Sequence, residues 1–250
     1  LYKPDYHTEP QPQTVLEVAV LSENAIITHL VASQKNYLLL KRVLDILISL
    51  LFIVLILSWL LPLLAVWIKL DSKGPVFFLQ KRIGLNGKIF RCFKLRTMIK
   101  NDAADKKPAE ENDHRITRAG RFLRKTNIDE LPQFFNVFAG DMSIVGPRPH
   151  MIADCRRFSS VIPAYKFRNL VKPGITGLAQ IKGYRGPATD HDSIVIRYYW
   201  DAVYVRKAGF WPDMKIIGKT IIRGIHNFTK VFADLFRQRK PLLPSGSTSL

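Results

Sequence analysis

Asp129 and Glu130 are adjacent carboxylates followed by Leu131-Pro132-Gln133. Such a pair can divide labour, one group attacking an electrophile while the other holds a cation. Leu131, Phe134, Phe135 and Phe138 recur at i, i+3, i+4 and i+7, which predicts a helix with an apolar face, and Gly140 stands where a left-handed stop belongs. The carboxylates then fall at the helix start, where the positive end favours anions and where Pro132 loses nothing by lacking an N–H. Two readings are open. Asn127, three residues before Glu130, resembles a capping box; alternatively, side chains and free N–H groups converge there on a ligand such as phosphate.

The surrounding cations favour an anionic ligand. Arg118, Arg121, Arg124 and Lys125 precede the pair, where they can balance both the carboxylates and an incoming pyrophosphate. Arg148 follows, held in a narrow range of directions between Pro147 and Pro149. Upstream, Val76-Phe77-Phe78-Leu79 and residues 88–96 flank Gly84-Leu85-Asn86-Gly87, a hairpin pattern. Alternation on its second strand puts Lys94 and Arg96 on one face as a phosphate clamp, or as a solvated edge. Lys172-Pro173-Gly174-Ile175-Thr176-Gly177 and Gly183-Tyr184-Arg185-Gly186-Pro187 form a glycine-rich region that could bring N–H groups close to a phosphate, with Arg185 presented from a turn.

The elements that must position these residues are an α+β set, predominantly helical. Residues 194–207 read as an aromatic helix. From Ile217, the apolar positions Ile221, Ile225, Phe228, Phe232 and Leu235 make a helical stripe opposite many basic residues. That pattern is either an amphipathic helix lying on an anionic membrane or one packed on the core. Residues 101–115, dense in charge and containing Pro108, are expected to be a mobile loop and not a site.

A net charge of +18 calls for anionic partners: nucleic acid, an acidic membrane surface or phosphorylated substrates. The two cysteines and six histidines are scattered, without metal-ligand spacing. Neither HExxH, Walker A nor GxGxxG occurs, which excludes zinc hydrolases and P-loop enzymes. Residues 46–68 are apolar enough for a transmembrane helix. Yet Lys35, Lys41 and Arg42 precede this run and Lys69, Lys73, Lys81, Arg82 and Lys88 follow it, so the positive-inside rule places both ends in the cytoplasm. Pro62 splits the run into pieces too short to cross, which predicts a re-entrant helix kinked near Ser58 and Pro62; a kinked full span is the alternative. The expected organisation is an N-terminal segment 1–36 of unknown role, a re-entrant membrane helix 37–73, a catalytic domain 74–240 and a flexible tail 241–250. The first residue is Leu1, which suggests a processed chain or part of a longer one.

Several motifs taken together carry a resemblance. Lys41-Arg42 with Asp45, Gly74-Pro75-Val76, Phe93-Lys94-Leu95-Arg96-Thr97-Met98, Asp129-Glu130-Leu131-Pro132-Gln133, the run from Asp141 to Pro149, and Lys172-Pro173-Gly174-Ile175-Thr176-Gly177 occur in this order. The chain resembles the bacterial sugar transferases, the monotopic phosphoglycosyl transferases, over roughly residues 41–223. It is most similar to members that start exopolysaccharide repeat units with glucose or galactose phosphate.

The resemblance implies transfer of a sugar phosphate from a UDP-sugar to polyprenyl (undecaprenyl) phosphate with release of UMP. It implies a location at the bacterial inner membrane, with the catalytic domain on its cytoplasmic face. By the same resemblance Asp129 is the nucleophile of a covalent phosphosugar intermediate and Glu130 the residue that holds Mg²⁺. Arg124, Arg148 and Arg185 bind phosphate or nucleotide, as does the basic pair Lys94 and Arg96. In many relatives a Ser-Pro pair breaks the re-entrant helix; here Ser58-Trp59 stands in its place and the proline is Pro62, which leaves the position and angle of the break open. Direct attack by the lipid phosphate in a ternary complex is a mechanistic alternative. A basic module binding membrane surface or nucleic acid is a functional one, disfavoured because no motif reads RNA or DNA. The sequence also leaves open whether the chain pairs with itself as a homodimer.

Overall fold

The computed structural model describes residues 35–99, 113–186 and 190–237. Most of the N-terminal segment 1–36, most of the charged stretch 101–115, Pro187 and the tail 241–250 lie outside the described residues. The described chain is mostly helical with two small β pairs.

Helix α1 (Lys35–Phe52) runs through a π-helical turn (Ile53–Leu57) into α2 (Ser58–Asp71). The irregular turn ends directly before Ser58, at the edge of the Ser58–Pro62 stretch where the sequence predicts a kink, and Pro62 itself lies inside α2. A proline ring crowds the carbonyl four residues back, and a widened turn just before that point absorbs the distortion. The carbonyls freed by the wide turn are covered locally. Ser58 N–H bonds to Ile53 O, Ser58 Oγ donates to Val54 O at 2.6 Å, and Trp59 Nε1 donates to Leu55 O at 2.8 Å. The combined helix is long and apolar enough to cross a membrane. Leu39, Leu47, Leu51, Leu55, Leu63 and Leu70 remain exposed along it.

Both ends of this helix are fastened to the rest of the protein by polar contacts. Near its start, Arg42 donates to Val137 O at 2.7 Å and Phe138 O at 2.9 Å, and Lys41 pairs with Asp213 at 2.5 Å. The buried Asp45 Oδ1 accepts from Ile144 N at 2.9 Å and Ser143 Oγ at 3.1 Å. At the far end, the guanidinium of Arg96 caps α2, donating to Ser72 O at 2.7 Å and Lys73 O at 2.8 Å. Asp71 Oδ2 accepts from Ala119 N at 2.9 Å. Asp45→Ala leaves a buried backbone N–H and a hydroxyl without their acceptor, so it is expected to destabilise by about 1–3 kcal/mol. Thermal unfolding in a fixed detergent or nanodisc checks this, and an unchanged midpoint would refute it.

Strands β1 (Phe77–Ile83) and β2 (Ile89–Leu95) pair antiparallel with Phe77 opposite Leu95 and Ile83 opposite Ile89. Asn86, at φ 52°, makes the tight turn between them. Next come α3 (Arg118–Thr126), a 3-10 turn (Ile128–Glu130) and α4 (Gln133–Ala139). Gly140, at φ 92°, closes α4 as a left-handed cap. The face that α4 buries is Gln133, Asn136 and Val137, not the apolar stripe. Asn136 reaches β2, accepting from Phe93 N at 2.9 Å and donating to Arg91 O at 2.7 Å. Phe134 instead stacks on Phe52 of α1 with centroids 4.0 Å apart, and Phe138 is exposed.

Strand β3 (Ser143–Val145) pairs in parallel with β4 (Gly174–Thr176), a pairing absent from the sequence expectation. A Cβ on Gly174 would lie 2.1 Å from Gly146 N, and one on Gly146 would lie 2.3 Å from Lys172 O. These glycines therefore serve the close approach of two backbones. Gly174 N donates to Pro147 O at 3.0 Å rather than to a ligand. Then follow α5 (Ile152–Val161), a 3-10 segment (Tyr165–Leu170), the short α6 (Leu178–Ile181), α7 (His191–Lys207) and α8 (Phe210–Arg237). The amphipathic helix thus begins earlier than the sequence stripe. One core joins α5, the 3-10 segment and α7; a second joins β2, α4, β3, α7 and α8. A third places Leu64 and Ile68 of α2 against Leu95 and Leu123. Each fully buried aliphatic side chain of this kind contributes about 1.5–3 kcal/mol.

Candidate active site

The Asn127 side chain makes no N-terminal capping bond; the residue is instead the C-cap of α3. It ends α3 in the left-handed conformation at φ 58°, and the chain turns sharply into the 3-10 segment carrying Asp129 and Glu130. Glu130 therefore has no capping partner, and its side chain turns to cations from two other elements. Its Oε1 accepts from Lys94 Nζ on β2 at 2.7 Å and from Arg148 at 2.5 Å, and its Oε2 accepts from the same guanidinium at 3.0 Å. The fork of Arg148 thus grips the carboxylate bidentately. Burial pushes Glu130's pKa up, but Arg148 and Lys94 outweigh it and hold the group well below the usual carboxylate range. Arg148 is in turn held more firmly protonated, chiefly by Glu130.

Asp129 is the opposite case. Among the described residues its carboxylate accepts no hydrogen bond and joins no ion pair. Burial, and then the negative charge of Glu130, push its pKa up to about 6, against the pull of Lys94, Arg124 and Arg148. Two neighbouring carboxylates are thereby made unequal: one ionised and clamped, the other unclamped and titrating near neutrality.

The turn carrying Arg148 is held by two elements, the 3-10 segment Tyr165–Leu170 and strand β1. Arg168 donates to Arg148 O at 2.6 Å while paired with Asp201 at 2.8 Å, both side chains being almost wholly buried. Arg82 donates to Pro149 O at 3.0 Å, and Ile83 N to His150 O at 3.1 Å. Sequence reading missed this support because Arg168 and Asp201 are far apart in the chain and neither lies in a pattern with chemistry of its own.

The structure thus gathers Asp129, Glu130, Lys94 and Arg148, with Arg124 close enough to act on Asp129 by its charge. Arg185 is half-buried, and its pKa is lowered by burial and then by the charges of Arg223 and Arg148. Arg96 does not join the gathered group. Strand β2 ends at Leu95, and the Arg96 guanidinium turns away to the carbonyl end of α2, where a cation is favoured. Ser58 and Pro62 lie on the apolar helix, not in this cluster.

The donor set suits a hard cation at one point. Oε2 of Glu130 accepts a single hydrogen bond and Asp129 accepts none, so anionic oxygen lone pairs remain beside a site rich in phosphate-binding groups. Among the described residues no cluster of three or more His, Cys, Asp or Glu side chains could cage a metal alone. A cation held by Glu130 would therefore have to complete its shell with water or substrate phosphate oxygens.

Comparison with known proteins places most of the chain within one family. The family model described as bacterial sugar transferase matches residues 36–227. The UDP-glucose:undecaprenyl-phosphate glucose-1-phosphate transferase of Klebsiella pneumoniae is 46% identical over 188 residues, covering 75% of this chain and 40% of that protein. The Caulobacter vibrioides protein of the same name is 45% identical over 182 residues, covering 72% of this chain and 68% of its own. A UDP-N-acetylgalactosamine-undecaprenyl-phosphate N-acetylgalactosaminephosphotransferase of Aeromonas hydrophila is 40% identical over 222 residues, covering 87% of this chain and 51% of its own. The chain spans about two fifths of the length of the Klebsiella and Escherichia coli relatives.

Proposed function

This chain belongs to the bacterial sugar transferase family, and from that premise we propose that it moves a sugar 1-phosphate from UDP-glucose or UDP-galactose to undecaprenyl phosphate, releasing UMP. The observation that carries the mechanism is the asymmetry of the acidic pair. Lys94 and Arg148 hold Glu130 as a fixed anion, whereas Asp129 has no partner to displace before it attacks.

An oxygen of Asp129 attacks the sugar-bearing phosphorus, a bond forms between them, and the bond to the UMP oxygen breaks. The lipid phosphate oxygen then attacks the same phosphorus and the bond to Asp129 breaks, regenerating the carboxylate. Lys94, Arg124, Arg148 and Arg185 offset charge on the phosphate oxygens, which is most of what phosphoryl transfer asks of a protein. Glu130 would hold Mg²⁺ through its less occupied Oε2, and the ion, when bound, adds to that neutralisation. A set of UDP-sugars assayed for UMP release, with and without undecaprenyl phosphate, tests the reading. A sub-stoichiometric to stoichiometric burst of UMP without lipid is expected, and release only when both substrates are present would replace the covalent route by direct attack.

The helix α1–α2 is read as re-entrant, with both ends on the cytoplasmic face of the inner membrane and α8 lying at the interface. Support comes from the basic residues flanking the apolar run, from the π turn in its middle, and from the attachment of both ends to the same body. Single cysteines introduced as Lys35→Cys and Lys73→Cys are expected to react with an impermeant thiol reagent from the same side. The native Cys92 and Cys155 are buried and should add little background. Labelling from opposite sides would establish a full span.

A further inference from the structure

The fork of Arg148 grips Glu130, and the backbone decides where that fork can point. A side chain leaves its Cα in a direction set by the two rigid peptide planes on either side, so a residue whose planes are both held aims one way only. Both are held here. The plane before Arg148 is fixed through Pro147 O, which accepts from Gly174 N of β4 at 3.0 Å. The plane after it is fixed through Arg148 O, which accepts from Arg168 Nη2 at 2.6 Å. Pro149 brings no N–H to that second plane, so the oxygen is the only polar group by which it can be held. Arg168 therefore sets ψ of Arg148.

Arg168 is itself firmly seated. Its Nε donates to Asp201 Oδ2 on α7 at 2.9 Å, its Nη2 lies 2.8 Å from the same oxygen, and its guanidinium sits 5.4 Å from the centre of the Tyr165 ring. Arg168 and Asp201 are 2% and 1% exposed. A buried ion pair of this kind seldom adds stability over apolar side chains of similar volume, because desolvation consumes most of the attraction. What it adds here is direction. A single nitrogen, Nη2, lies against the carboxylate and donates to the carbonyl, so the carbonyl of the Arg148 turn is referred to a fixed point on α7.

Resting on the function proposed above, we propose that Arg168, anchored by Asp201, is a positioning residue for the transfer reaction. It fixes the backbone angle that aims Arg148 at Glu130 and at the phosphoryl group in flight, and it acts only through Arg148.

The decisive comparison is whether Arg168 still matters once Arg148 is gone. Removing Arg168 alone would strand the Asp201 charge in the interior, so both are exchanged for apolar residues, Arg168→Met together with Asp201→Leu. With the full chain in nanodiscs, this double variant should melt as cooperatively as wild type. Its kcat/KM for UDP-sugar should nevertheless fall by about tenfold to a hundredfold, the scale of a misplacement of about 1 Å. On an Arg148→Ala background the same exchange should cost less than about twofold, because no fork remains to be aimed. Arg168→Lys keeps a charged donor beside Asp201, so it should lose less than the double variant on the wild-type background and show the same dependence on Arg148. Equal losses on both backgrounds would assign the pair to the fold at large and overturn the proposal. Full activity in the double variant, or loss of its folded state, would overturn it too. A wild-type chain that moves no sugar phosphate to lipid overturns the function proposed above, whereas an active wild type without this dependence on Arg148 overturns only the positioning role.

Discussion

Asp129→Asn is expected to abolish UMP release and lipid glycosylation together, by at least about 10³-fold, because an amide cannot serve as the nucleophile. Labelled sugar phosphate should remain on the wild-type protein when lipid is withheld and be absent from the variant. Retained labelling would remove Asp129 from the role. Wild-type UMP release should fall about tenfold per unit as the pH drops below about 6, where the Asp129 carboxylate takes up its proton.

The stability consequence has the opposite sign to that of a salt-bridged carboxylate. Asp129 is held above its unfolded value, so its ionised form opposes folding fully above about pH 6. That opposition fades as the pH falls toward the unfolded pKa of about 3.9. Asp129→Asn should therefore unfold at a higher temperature than wild type at neutral pH, with the difference shrinking in acid. A variant less stable than wild type at pH 7 would contradict the environment described for this side chain.

Arg148→Ala carries the second large effect. It removes a bidentate partner from Glu130, leaves that carboxylate with Lys94 alone, and takes a fixed cation from the transferring phosphoryl group. A loss on the order of 10³-fold in kcat/KM for UDP-sugar is expected. Arg148→Lys should recover little, since a point charge cannot reproduce the fork that engages both oxygens of Glu130. Recovery to within about tenfold of wild type by lysine would show that charge alone suffices.

Local chemistry made the hairpin, the Gly140 stop and the α7 helix legible from sequence. Where the reading failed, two causes recur. The stripe Leu131, Phe134, Phe135 and Phe138 marked an apolar face, yet α4 buries Gln133, Asn136 and Val137 and turns Phe134 to α1. The rule that apolar side chains face the core breaks where the neighbour is a helix with a largely exposed apolar surface. The other misses are non-local. Strands β3 and β4 are three residues each and pair across a long connection. The contacts of Arg168 with Asp201 and Arg148, and of Arg96 with the end of α2, likewise join residues that no short window compares. Asp129 and Glu130 stood out as a pair, but their inequality is set by Lys94 and Arg148 and needed the fold.

The way α2 ends has a consequence for how this protein can be divided. Leu64 and Ile68 complete a cluster with Leu95 and Leu123, and Arg96 donates to Ile68 O in the last turn of the helix and to Ser72 O and Lys73 O just past it. The apolar helix is therefore not a detachable tether. Excising it would not yield a water-soluble catalytic fragment but one with a torn core and a stranded guanidinium. Grafting a generic anchor in its place would restore attachment to the bilayer without restoring the fold. Solubilisation conditions should therefore be chosen so that this cluster stays intact, judged by retained activity and not by extraction yield.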